Sequence, residues 1–305
     1  MNNGNDKIIK RILELKEKKK ALILAHNYQI PQIQDIADFV GDSLELSKKS
    51  KDASLPLIVF CGVRFMAETA KILSKDKKVL LPAQTAGCPL AETINAKDVL
   101  NLRKMHPDAW VVSYVNTSAE VKAASDVCCT SSNAISVVKN VPTKDVIFVP
   151  DKNLGWWVTK NVPDKNVIIW DGGCYVHEQF TLDDLLEARK KFPEAEIMVH
   201  PECRREILEK CDFVASTAGM LKRAKASTAK TILVGTEEGL LHKLKKENPD
   251  KQFFSLGISR TCLNMKKTTL NELLVSLEKE IYEINLEDEI IEKAKLALER
   301  MVQYV

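Results

Sequence analysis

Three cysteines, Cys88, Cys174 and Cys262, stand 86 and 88 residues apart, and other marks recur at the same step. Asp38, Asp126 and Asp212 each open a short apolar run that ends in small hydroxyl residues: DFVGDS to Ser43, DVCCTS to Ser131, DFVAST to Thr217. Upstream of each stands an apolar stretch with a polar tip: LILAHNY ending at Tyr28, VVSYVNT ending at Thr117, EIMVHPE ending at Glu202. A period this long exceeds that of solenoids, about 20–50 residues, and reads as a triplicated domain. Such a chain delivers one thiol per repeat, and the spacing predicts three thiols meeting at a pseudo-threefold centre.

Helical and strand patterns alternate within each repeat. In the first, Ile8, Ile9, Ile12, Leu13 and Leu15 recur near helical spacing over residues 6–19. Strands are expected at 21–25, 57–61 and 79–81, and helices at 65–73 and at 31–50, opened by Pro31. The second repeat predicts helices near 96–105, 118–125 and 132–139, and strands at 110–115, near Val127, at 146–149 and at 167–169. The third predicts helices at 181–191 and 203–210 and strands at 196–199, 213–215, 231–234 and 253–256. The expected repeats are 1–90, 91–176 and 177–267, with two C-terminal helices within 268–305 packing back on the first. This alternation is the α/β class, with small parallel sheets covered by helices on both faces. The polar tips then lie at the carboxyl ends of strands, where open α/β sheets bind ligands.

Charge is nearly balanced, 45 basic residues against 42 acidic, which argues against nucleic acid as a partner and leaves room for a local basic pocket. No apolar stretch approaches the ~20 residues that span a bilayer. The opening MNNGNDK has no apolar signal core, so the expected location is the cytoplasm. A reducing compartment makes the eight cysteines poor disulfide candidates. None forms a C-x2-C pair, which argues against a zinc ribbon, and Cys61, Cys128, Cys129 and Cys211 read as small core residues.

Three converging thiolates suit a soft metal or an iron–sulfur cluster with one iron left open, a Lewis acid. Ser43, Ser131 and Thr217, each before an expected helix, read either as N-caps or as anion cradles for a small substrate with several anionic groups. His26 and His200 hold matching tips, and His177 follows Cys174 by three. Glu202 beside His200 reads as a proton-transferring pair or as a surface salt link. Tyr28 and Tyr114 are phenolic donors or half-buried aromatics. His106 and His242 read as surface and structural residues. From these residues alone, an iron–sulfur hydro-lyase acting on a small polycarboxylate and a non-enzymatic metal-binding protein both stay open. The His200–Glu202 pair favours an enzyme, because a storage site needs no proton transfer.

The ordered set AHNYQIPQIQDIADFVGDS, GCPLAE around Cys88, VNTSAEVKAASDVCCTSSNA, VHPEC, STAGM, GTEEGLLHKLKK and CLNMKK resembles the quinolinate synthase family from Ala21 to Lys267. The resemblance implies three similar three-layer αβα domains around a pseudo-threefold axis, and a 4Fe–4S cluster on Cys88, Cys174 and Cys262. It implies condensation of iminoaspartate with dihydroxyacetone phosphate to quinolinate, with loss of phosphate and water, for NAD biosynthesis. An aspartate oxidase or dehydrogenase would supply the iminoaspartate, in transient contact. By position, Tyr28 matches a catalytic tyrosine, and Glu202 with His200 an acid–base pair. His26, Asp42, Ser43, Tyr114, Asn116, Ser131, His177, His200, Glu202, Ser216 and Thr217 match substrate-binding positions. Some members carry C-x2-C-x2-C at the third cluster position; here Cys262 stands alone in CLNMK.

Overall fold

In the computed structural model, which describes residues 3–304, the same order of elements is written three times. The first repeat runs α1 (Asn3–Lys19), β1 (Ala21–His26), α2 (Pro31–Ile36), β2 (Phe39–Gly41), α3 (Ser43–Lys51), β3 (Leu57–Cys61), α4 (Arg64–Leu73) and β4 (Lys78–Leu80). The second runs α5 (Ala96–Met105), β5 (Trp110–Tyr114), α6 (Ala119–Ala123), β6 (Val127–Cys129), α7 (Ala134–Asn140), β7 (Asp145–Val149), α8 (Lys152–Asn161) and β8 (Asn166–Ile169). The third runs α9 (Leu182–Lys191), β9 (Glu196–Val199), α10 (Arg205–Leu208), β10 (Phe213–Val214), α11 (Thr217–Ala226), β11 (Thr231–Gly235), α12 (Leu240–Glu247) and β12 (Gln252–Ser255). Two helices close the chain, α13 (Leu270–Lys279) and α14 (Asp288–Gln303). The sheets are ordered β2-β1-β3-β4, β6-β5-β7-β8 and β10-β9-β11-β12, with every pairing parallel.

Strand side chains alternate between faces, and the core divides accordingly. Ile23, Ala25, Val59 and Cys61 pack outward under α1 and α13, while Leu24, Ile58 and Phe60 point into an inner core. Val111 and Ile147 face the outer layer of the second repeat, and Val112, Val146 and Phe148 the inner core. Ile197 and Leu233 do the same in the third, opposite Met198, Ile232 and Val234. The inner core is shared by all three repeats, so none buries its sheet alone. At about 1.5–3 kcal/mol for each large side chain buried, it is the main force joining them.

The recurring aspartates clasp the sheets. Asp38, Asp126 and Asp212 accept the main-chain N–H of Ile23, Val111 and Ile197 at 2.8, 2.7 and 2.8 Å. Each also meets a basic residue from the helix before the central strand: Lys16 at 2.6 Å, Arg103 at 2.8 Å and Arg189 at 2.7 Å. The repeated aspartate therefore marks a fold constraint, not a substrate contact.

The structure departs from the sequence expectations in places. The helix expected over 31–50 is two helices split by β2, because Phe39–Gly41 pairs with β1. α8 was not anticipated, and α11 was expected only as a helix of unstated extent after Thr217. α13 packs on α1, and α14 packs chiefly on α6 and β6 of the second repeat and only secondarily on α4. Its stripe of Ala294, Ala297, Leu298 and Met301 joins the inner core beside the short α6, and Arg300 donates to the Asp126 carbonyl at 2.8 Å.

Candidate active site

The first and second strands of every repeat end at one cavity, with about 680 Å³ of empty space counting its mouth. His26, Tyr28, Asp42, Ser43, Tyr114, Asn116, Ser131, His177, His200, Glu202 and Thr217 line it together with Cys88, Cys174 and Cys262. Ser216 does not: it sits behind Thr217 and caps α11, accepting the Gly219 N–H at 3.2 Å.

The cysteine loops are held alike. Arg64, Lys152 and Glu238, just past the third strands, donate their main-chain N–H to the carbonyls of Ala86, Gly172 and Arg260. Those residues lie two before each cysteine, and this fixes the loop beside the strand end. Three residues after each cysteine a short 3-10 turn begins, at Ala91, His177 and Met265. The main-chain N–H groups of Leu90 and Ala91, Val176 and His177, and Asn264 and Met265 favour the thiolates of Cys88, Cys174 and Cys262, against the larger opposing effect of burial.

Asp42 caps α3 in a capping box with Glu45, and Ser216 caps α11. Capping is thus done by the residue before each hydroxyl, leaving Ser43 and Thr217 as first helical residues on the cavity. Ser131 lies in the turn before α7. No lysine or arginine among the described residues lines the cavity, so its attraction for anions comes from hydroxyls and helix N-termini rather than a basic pocket.

The Tyr28 N–H donates to His26 Nδ1 at 3.2 Å, and the Glu202 N–H to His200 Nδ1 at 3.4 Å. An accepting Nδ1 puts the proton on Nε2, so both imidazoles are Nε2–H donors. Burial pushes both down to about 3, which keeps them neutral at pH 7. His200 Nε2 then donates to Ser131 Oγ at 3.2 Å. Glu202 is buried, which disfavours its charge, yet the adjacent His177 and a Tyr114 hydrogen bond hold it below the ordinary carboxylate range. Its near imidazole is His177, with Nδ1 2.7 Å from Oε2; the His200 Nδ1 expected as its partner lies at 3.7 Å. Neither is a surface salt link. Asn116 donates to the other oxygen at 3.3 Å. Burial raises the phenols of Tyr28 and Tyr114, so both stay O–H donors.

The family model of quinolinate synthetase A protein matches residues 10–303. The chain belongs to the quinolinate synthase family. It is similar to quinolinate synthase of Caldicellulosiruptor saccharolyticus, 51% identical over 98% of both chains. It is also similar to those of Thermodesulfovibrio yellowstonii, 50% identical over 98% of this chain and 99% of the other, and Clostridioides difficile, 47% identical over 95% and 96%. The family comprises transferases of NAD biosynthesis that use an iron–sulfur cluster.

The donor set fits such a group. Burial pushes Cys88 up to about 12 and raises Cys174 and Cys262 as well, with no cationic side chain among the described residues lining the cavity to oppose it. Bound metal would supply the missing positive charge and convert each thiol to a ligand thiolate. The three sulfurs do not all fall within 4.8 Å of one another, too wide to close on a single ion.

Other residues escaped sequence reasoning. Thr236 Oγ1 meets Tyr28 Oη at 2.5 Å and His177 Nε2 at 2.8 Å. Asp151, with its carboxyl raised by burial, caps α8. Glu237, paired with Lys266, accepts the Cys262 N–H at 3.0 Å. The signal for all three was the same carboxyl-end rule, applied to β7 and β11 as well as to β5 and β9. Gly239 has a specific reason: a Cβ there would meet the Tyr28 main chain at 2.8 Å.

Proposed function

We propose that this chain condenses iminoaspartate with dihydroxyacetone phosphate to give quinolinate, phosphate and water in the cytoplasm, with a 4Fe–4S cluster on Cys88, Cys174 and Cys262. The observation that carries the reading is the convergence of one thiol from each repeat on a cavity holding neutral imidazoles, a carboxylate and two helix N-termini. When bound, the cluster supplies a Lewis-acidic iron with an open position.

Ser43, Ser131 and Thr217 bind the anionic ends of the substrates, assisted by the N-termini of α3 and α11. His26 and His200 donate Nε2–H bonds to carboxylate or carbonyl oxygens. Glu202 takes and returns protons beside His177, oriented by the hydrogen bond from Asn116. Tyr28, fixed by Thr236, and Tyr114 donate to developing oxyanions. Val63, Phe65, Met66, Leu90, Val176 and Met265 form an apolar wall that limits water around a labile imine.

Anaerobic purification tests the reading. Iron and sulfide near four each per chain, with quinolinate formed only when both substrates are present, are expected. A fully loaded chain that forms no quinolinate would overturn it.

A further inference from the structure

Cys174 Sγ, a nitrogen of His177 and a carboxylate oxygen of Glu202 all lie within 4.8 Å of one another. His177 and Glu202 are each 2% exposed. His177 Nε2 is engaged by the Thr236 hydroxyl at 2.8 Å. Its Nδ1, although 2.7 Å from Glu202 Oε2, has no hydrogen-bond partner, since the approach lies off the line of an N–H bond. A buried ring nitrogen without a hydrogen-bond partner therefore faces a carboxylate and a thiol.

We infer that the cluster-free chain holds one divalent cation of the zinc type on Cys174, His177 and Glu202, with its fourth position open to the cavity. One sulfur, one imidazole nitrogen and one carboxylate oxygen is a donor set for zinc, and neither magnesium nor calcium selects it. Once an ion sits on Nδ1, Nε2–H donates to Thr236 Oγ1, the usual outer support of a metal-bound histidine. On binding, the Cys174 thiol releases its proton to solvent and nothing is oxidised or reduced. Cys88 and Cys262 take no part. Because Cys174 would serve both groups, zinc and the cluster exclude one another, and a zinc-loaded chain must lose its ion before the cluster can be built. That consequence rests on the proposed cluster ligation; the ion site does not.

The test uses the full-length Cys88→Ala/Cys262→Ala chain, which lacks two of the three cluster thiols, stripped with chelator and titrated with cobalt(II), then zinc. One equivalent of cobalt is expected, with tetrahedral absorption and a thiolate-to-cobalt charge-transfer band that zinc abolishes. Adding Cys174→Ala or Cys174→Ser should remove that band. Adding His177→Ala or Glu202→Ala should weaken binding by on the order of a hundredfold or more. Circular dichroism identifies variants that keep their fold, and the two Cys174 substitutions guard against loss of either one. Absence of the band in the double variant, or its persistence without Cys174, would overturn the site. In the wild-type apoprotein, zinc added first should block uptake of iron and sulfide. Zinc that leaves uptake unimpeded would refute the mutual exclusion. Failure to take up iron and sulfide even without zinc counts against the cluster reading alone.

Discussion

Ser132 Oγ lies 2.6 Å from Asp42 Oδ2 and 2.7 Å from Ser216 Oγ, so one hydroxyl of the second repeat joins the helix caps of the first and third. A hydroxyl has one proton, and Ser132 therefore donates to the carboxylate and accepts from Ser216. Asp42 and Ser216 hold the ends of α3 and α11, whose first residues face the cavity. Ser132→Ala should cost about 0.5–1.5 kcal/mol in denaturant unfolding. It should also raise KM for the phosphate-bearing substrate more than it lowers kcat, since Ser132 does not line the cavity. Unchanged stability and KM would remove the bridging role.

The triplicated aspartate clasp predicts three matching losses. Asp38→Ala, Asp126→Ala and Asp212→Ala each remove a charged acceptor from a central-strand N–H, worth about 1.5–3 kcal/mol. Their ion pairs are part-exposed and add at most about 1 kcal/mol. Iron and sulfide loading of the surviving folded protein should be unchanged. A loss seen at one aspartate and not the others would show that the clasps are not equivalent.

The triplication was legible because cysteine and aspartate each have one job per repeat and sit at a constant step. The strand tips were legible because apolar runs ending in His-Asn-Tyr or His-Pro-Glu are unlike ordinary turns. β2 was hidden: three residues between helical flanks carry no period of their own, and only pairing with β1 makes them a strand. α8 was obscured by Gly155 within it, and the extent of α11 by Gly219. The true neighbour of Glu202 is His177, on a different loop, and closeness in sequence to His200 could not reveal that. Nor does the apolar stripe of α14 say which groove receives it; the open flank of α6 decides.

The three cysteine loops share one construction, so they should share one phenotype. Cys88→Ala, Cys174→Ala and Cys262→Ala should each abolish iron and sulfide loading in anaerobic reconstitution. Cys61→Ala and Cys211→Ala should leave it intact, because Cys61 lies in the outer core and neither lines the cavity. Loss of loading in either of these two folded controls would mean the ligands are misassigned.

Glu202→Gln keeps the size and the Asn116 contact but cannot take up a proton. Turnover should fall by about 10²–10⁴-fold, the usual weight of a general acid–base. Iron and sulfide content should stay at the wild-type level. Turnover within a few-fold of wild type would leave Glu202 as a binding residue only.

Acid should destabilise the cluster-free chain through His26 and His200. Their folded values, about 3, lie below the unfolded 6.5, so between those limits the unfolded chain binds protons the folded chain refuses. Stability therefore falls as pH falls through that window, by at most about 1.4 kcal/mol per pH unit for each histidine, and is flat above it for these groups. Asp151 acts in the opposite sense, since burial raises its carboxyl and the folded chain keeps a proton the unfolded chain gives up. The wild-type slope is thus a net value, and a comparison isolates the imidazole. His26→Gln should have a shallower pH dependence than wild type in denaturant titrations between about pH 5 and 6, by up to about 1.4 kcal/mol per unit. Parallel curves would mean that His26 is protonated in the folded chain, and its role as a neutral Nε2–H donor would fall with that result.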